Sequence, residues 1–174
     1  MVYVRAATML LQRACAGLGI PCAIAEVCDK WHRVHNPVLP YHAPSVVTWL
    51  QRFDTNPEAE GPRALIAGLY GHAGREEVCN GLRILAPHLL ARPEGTKLLI
   101  YLHDGQPNDG ARIPATLAEV RAQGILVLGL YIGPQQDLER MQALFGKEFT
   151  IGTDSLSKLP LLLGRILARY RTGR

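Results

Sequence analysis

Two apolar runs set the fold class. Residues 97–103 read Lys-Leu-Leu-Ile-Tyr-Leu-His, and residues 125–132 read Ile-Leu-Val-Leu-Gly-Leu-Tyr-Ile. Turn residues follow each run, Asp104-Gly105 after the first and Gly133-Pro134 after the second. Neither run shows the alternation of a strand with one wet face, so both are expected to be strands buried on both sides. Strands of that kind belong to parallel sheets, and a parallel pair needs a long crossover. The intervening sequence supplies one, because Pro114 to Gln123 reads as a helix opened by a proline and closed by Gly124.

The same alternation extends along the chain. Val4, Ala7, Leu10, Leu11, Ala14 and Leu18 recur at helical spacing over residues 2–18, and Gly19 with Pro21 ends the pattern. Pro21 to Cys28 is a short apolar run expected as a buried strand. Residues 29–62 are rich in Pro, His, Asn and Asp and read as an irregular crossover, with an edge strand near Trp31 to His35 and a short helix near Val46 to Phe53. Helices are expected over 64–70, over 76–91 with Val78, Leu82, Leu85, Leu89 and Leu90 on one face, over 135–145 and over 156–170. A short strand is expected at 148–151. The strands at 22–28, 97–103 and 125–132 are expected to be parallel and buried. The expected architecture is therefore α/β, a Rossmann-like open, mostly parallel sheet with helices on both faces, in a single domain over residues 1–174.

Composition narrows the function classes. Apolar residues make up 48%, charged residues 20%, and mean hydropathy is +0.04, as in a folded globular domain. No apolar run approaches the roughly 20 residues that span a bilayer, and the N-terminus lacks the order of a secretory signal, so a cytoplasmic location without membrane partners is expected. The net charge is +4, but the basic residues are scattered apart from Arg165, Arg169, Arg171 and Arg174. A helix C-terminus favours those four in any case, so nucleic acid is not an expected partner. Cys15, Cys22, Cys28 and Cys79 show no C-x-x-C spacing and read as reduced thiols. His32, His35 and His42 near Cys28 match no usual zinc spacing. Trp31 and Trp49 read as packing anchors. There is no Gly-rich phosphate loop, nucleophile elbow or His-Glu-x-x-His.

In open α/β sheets the ligand crevice lies beyond the carboxyl ends of the strands. Asp104 stands at such an end, in the segment His103-Asp-Gly-Gln-Pro-Asn-Asp-Gly110, where a hard divalent cation would find oxygen ligands. The same residues also make ordinary turns. Glu76 and Glu77 fall in the first turn of a predicted helix, where its dipole favours negative charge.

Taken together, these segments resemble a von Willebrand factor A (VWA) domain, and more narrowly the type at the C-terminal end of the cobaltochelatase accessory subunit. The resemblance rests on four features in order: a helix, a strand led by Gly19-Ile-Pro21 with a Trp soon after, the segment Glu76-Glu-Val-Cys-Asn-Gly81, and a strand ending in Leu102-His-Asp-Gly-Gln-Pro107. Gly124 to Gly133 and Leu159-Pro160 match the family's later strand and last helix. Glu77 stands where the family has Asn, and His103 where it has Ser. The family's first central strand, ending in Asp-x-Ser-x-Ser, has no counterpart in these residues. The resemblance thus implies a VWA-like domain lacking that strand, with an incomplete metal-ion-dependent adhesion site (MIDAS). Glu76 and Asp104 would be its remaining metal groups, holding Mg²⁺ weakly and largely through water. It also implies a non-catalytic module that binds a protein partner and works with an AAA+ ATPase in a chelatase or remodelling assembly, with open sheet edges prone to association. Two alternatives stand beside it: a small metal-dependent phosphoesterase using Asp104, Asp109 and His103, or a gene fragment without a function of its own.

Overall fold

The computed structural model describes residues 2–29, 45–67, 78–103, 107 and 109–171. In chain order the elements are α1 (Val2–Gly17), β1 (Ile24–Asp29), β2 (Ser45–Gln51), α2 (Glu60–Ala67), α3 (Val78–Leu90), β3 (Lys97–His103), α4 (Ile113–Ala122), β4 (Ile125–Ile132), α5 (Gln135–Phe145), β5 (Thr150–Thr153) and α6 (Leu159–Arg171). Among the described residues, no helix is long and apolar enough to cross a membrane.

Strands β3, β4 and β5 form a parallel sheet in that order, with Lys97 opposite Ile125 and Gly129 opposite Thr150. Because side chains alternate along a strand, the apolar run of β4 divides between two cores. Ile125, Val127 and Tyr131 point into one core with Leu99 from β3, Val78, Cys79 and Leu82 from α3, Ile113 and Leu117 from α4, and Met141 and Phe145 from α5. Leu128, Leu130 and Ile132 point into the other, against Ala7 of α1 and Leu159, Leu163 and Ile166 of α6. The result is an α/β layer structure with helices on both faces. Arg121, in the last turn of α4, fastens that helix to the sheet. It donates to the carbonyls of Val127 and Phe145, both at 2.9 Å, and its guanidinium lies 3.8 Å from the centre of the Phe149 ring.

Several expectations fail. Residues 46–53 were expected as a short helix, yet Ser45–Gln51 is a strand. Its apolar spacing suits a helix, but its content, Val-Val-Thr-Trp, suits a pleated surface, and pairing with β1 decides between them. The first strand was expected to be parallel and buried. Instead β1 is half-buried and pairs antiparallel with β2, from Asp29 opposite Ser45 to Ala25 opposite Trp49, in a two-stranded sheet of its own. Strand β3 is also only partly buried, with Leu99 and His103 its buried positions, which suits its place at the edge of the three-stranded sheet. The short last strand falls at 150–153 rather than 148–151. The edge strand expected near residues 31–35 lies outside the described residues.

The two sheets share their covering helices. On the α1 side, Met9 and Ile24 pack against Leu50 and Ile66, while Ala7, Leu10 and Leu11 of the same helix cover the three-stranded sheet. On the α3 side, Gly81 lies directly against Val27 of β1, His88 meets the Trp49 ring edge-on with centroids 5.0 Å apart, and Val78, Leu82 and Ala86 cover β3 and β4. Trp49 is thus a packing anchor, as expected.

Gly129 sits in the middle of β4 with the Phe145 ring stacked over it. A Cβ there would stand 3.0 Å from the ring's Cγ. That ring also stacks on Tyr101 and His103, with centroids 5.8 and 5.9 Å away, so it has little freedom to shift. Gly129→Ala is expected to destabilise the fold by roughly 1–3 kcal/mol, as overpacking of a close-packed core does. Urea unfolding is the measurement; an unchanged midpoint would refute this account of the packing.

Candidate functional site

Beyond the carboxyl end of β3, Asp109 ties the chain to the start of α3. This residue is 6% exposed, and its carboxylate accepts the backbone N–H groups of Val78 at 3.2 Å and Cys79 at 2.7 Å, the first two residues of α3. A helix leaves its first N–H groups without intrahelical partners, and its dipole favours a negative charge at that end. Asp109 therefore does for α3 what an N-cap side chain does, but from thirty residues away. The segment that follows β3 and the start of α3 are held together in this way.

Behind the carboxylate lies the thiol of Cys79, fully buried against Asp109 and Thr116. Burial pushes this thiol up to about 11, and its hydrogen bond to Asp109 adds to the effect. A raised thiol of this kind is a structural group rather than a nucleophile.

His103, the last residue of β3, is 2% exposed. Its ring stacks nearly parallel on Phe145 and lies 5.3 Å from the Tyr131 ring, so it is part of the core beneath the crevice. Glu76 and Asp104, the two metal-ligand candidates, lie outside the described residues. So do the loop histidines and Trp31. What is described are their flanks: Val78 follows Glu76 by two residues, His103 precedes Asp104, and Asp109 follows it by five.

Among the described residues no group of three or more His, Cys, Asp or Glu side chains could hold a metal ion. The Asp109 oxygens already accept two backbone bonds, and Mg²⁺ asks for near-octahedral oxygen ligands. The described residues thus do not by themselves fit the ion. Sequence reasoning grouped Asp109 with possible metal or hydrolytic acids. A turn aspartate and a cap to a distant helix look alike in sequence, since the N–H groups it caps belong to another segment.

Two measurements test this arrangement. Asp109→Ala removes both acceptors from the start of α3 and is expected to cost about 1–3 kcal/mol, with Asp109→Asn costing less because it keeps one acceptor; equal stability of all three proteins in urea would refute the cap. The Cys79 thiol holds its proton more tightly folded than unfolded. Its contribution is therefore complete below about pH 8.5, the ordinary thiol value, and is lost as pH rises towards about 11. Cys79→Ala should flatten that part of the stability profile.

No protein-family model and no curated protein matches the chain. Solved structures do. The structure of proximal thread matrix protein 1 (PTMP1) from the mussel byssus matches with a TM-score of 0.64 at 17% identity, over 95% of this chain and 41% of that one. A second crystal form of that protein gives 0.63 at 18% identity, with the same coverage. A third structure, of PTMP1 with a zinc-occupied MIDAS motif, gives 0.51 at 22% identity over 70% of this chain and 33% of that one. The chain spans about two fifths of the length of the first two. A likeness at this identity concerns the fold, and the fold it supports is a VWA-like, Rossmann-like α/β domain.

Proposed function

We propose that this chain is a non-enzymatic, VWA-like protein-interaction module whose partner docks at the crevice beyond the carboxyl ends of β3, β4 and β5. The observation that carries this reading is the bond pair from Asp109 to the start of α3. It joins Asp109, five residues after Asp104, to Val78, two residues after Glu76, which are positions flanking the two candidate metal groups in sequence. The fold likeness to a protein whose MIDAS motif takes up zinc supports the same reading.

The divided sheet adds a second line of support. Strand β1 and the edge strand β3 lie between the same two helices, α1 and α3, but in separate sheets. A parallel strand ending in Asp-x-Ser-x-Ser, set between them, would make one continuous sheet and bring direct metal ligands to the crevice. Glu76 and Asp104 would then act on the ion largely through water, and a partner carboxylate would fill the open coordination position. When bound, the ion supplies a positive charge that links module and partner. The sequence resemblance to the cobaltochelatase accessory subunit supports a finer proposal: an AAA+ ATPase partner in a chelatase or remodelling complex, in the cytoplasm.

Calorimetric titration and melting curves test the reading. Mg²⁺ added to the 174-residue chain is expected to give no saturable heat and no rise in melting temperature. The chain extended at its N-terminus by an Asp-x-Ser-x-Ser strand is expected to bind the ion and to melt higher in its presence, since a ligand specific to the folded state stabilises it. Asp104→Ala in the extended chain should weaken both responses. Tight Mg²⁺ or Zn²⁺ binding by the 174 residues alone would show a complete site within them. A phosphoesterase activity abolished by Asp104→Ala would replace the proposal with a hydrolase.

A further inference from the structure

Strand β3 closes one side of the three-stranded sheet with an edge unlike that of β5 on the other side. We propose that this edge binds an extended apolar segment of another polypeptide, which adds to the sheet as a strand beside β3.

The burial of β3 gives the first reason. Its side chains face the same two cores as those of β4: Leu99 and Tyr101 pack into one, and Leu98, Ile100 and Leu102 into the other. Yet two of the seven residues of β3 are buried, against seven of the eight in β4. Helices cover both strands, so the difference lies at the side. Strand β4 is paired on both edges, whereas among the described residues β3 is paired with β4 alone. A further strand would cover the flanks of Leu98, Ile100 and Leu102 and remove that apolar surface from water.

Sequence gives the second reason. Sheet edges usually carry a device that discourages pairing, such as shortness, a charge or a proline. Strand β5 has four residues, with Gly152 inside it and a threonine at each end. Strand β3 has seven, and no charge, proline or glycine interrupts Leu98 to Leu102. Segments of that composition pair readily with another extended chain.

The helices select the occupant. Helix α1 reaches past the three-stranded sheet: Ala7, Leu10 and Leu11 cover that sheet, while Met9 packs with Ile24, Leu50 and Ile66 at the two-stranded one. Helix α3 does the same on the opposite face, with Val78, Leu82 and Ala86 in the core against β3 and β4 and Gly81 against Val27 of β1. The edge of β3 is therefore overhung on both faces. A second copy of the chain would bring its own α1 and α3 to the edge and collide with these helices, whereas a single extended segment fits between them. Its side chains would alternate towards the two cores, so both of its faces must be apolar, as in a run of Val, Ile and Leu of about six residues. Main-chain hydrogen bonds would supply affinity, and the two cores would choose the side chains. The strand considered above brings metal ligands to the carboxyl ends; here no ion or carboxylate takes part, and this binding is separate from docking at that end.

The test mixes the full 174-residue chain, in EDTA, with a fluorescein-labelled probe peptide Lys-Lys-Val-Ile-Val-Leu-Val-Ile-Lys-Lys, whose lysines keep it soluble. Fluorescence anisotropy is expected to rise to saturation. A control peptide with Thr at alternate positions keeps the strand propensity but has one polar face. It should bind at least about tenfold more weakly, because its hydroxyls would enter a core without partners. Hydrogen exchange followed by NMR locates the peptide: amides of β3 should exchange more slowly, with those of β2 and β5 unchanged. Ile100→Lys, which sets a charge in the middle of the edge, should abolish binding, and the exchange map carries the test if that variant fails to fold. No saturable binding, equal affinity for the two peptides, protection at β2 or β5 in place of β3, or a dimer of the chain whose β3 amides are already protected would each overturn the proposal.

Discussion

Strand β4 has no wet face, and most of the fold depends on that constraint. Its buried residues feed two separate cores, Ile125, Val127 and Tyr131 on one side and Leu128, Leu130 and Ile132 on the other. At about 25 cal/mol per Å² of apolar surface removed from water, a strand of this kind must be covered on both sides. Helices α3, α4 and α5 cover one face, and α1 with α6 the other. Gly129 is the concession the packing requires, giving up a side chain so that the Phe145 ring can approach the backbone.

The proposed docking site follows from how that layer structure ends. A parallel sheet brings the carboxyl ends of its strands to one side, and the loops leaving them must satisfy their polar groups there. Asp109 does so by accepting the first two N–H groups of α3, and the same carboxylate receives the Cys79 thiol. One buried side chain thus stabilises a helix start at the edge of the proposed docking site. Its oxygens are engaged in structure, which leaves the metal chemistry of the proposal to Glu76 and Asp104.

Helix α1 serves both sheets through its apolar face and β2 through a polar contact. Its apolar face covers the three-stranded sheet through Ala7, Leu10 and Leu11, and β1–β2 through Met9. Its polar face enters the fold at Gln12, whose bond to Gln51 ties the helix to β2. The turn that follows is held as well, since the Cys22 carbonyl accepts from Nε2 of Gln51 at 2.8 Å.

The residues themselves determined the elements whose signal is local. Lys97–His103, Ile125–Ile132 and Gln135–Phe145 are apolar or periodic enough, and sharply enough bounded by Gly and Pro, that burial leaves them one choice. The α/β class was legible for the same reason. Tertiary structure alone decided the rest. Ser45–Gln51 is a strand because β1 offers it a partner, and β1 runs antiparallel because that partner is near in sequence while the parallel strands are far. The role of Asp109 was equally hidden, since it depends on N–H groups brought near by the start of a helix thirty residues away in sequence. A side chain's chemistry is written in its type, but its partner is set by distance in space, and only packing supplies that distance.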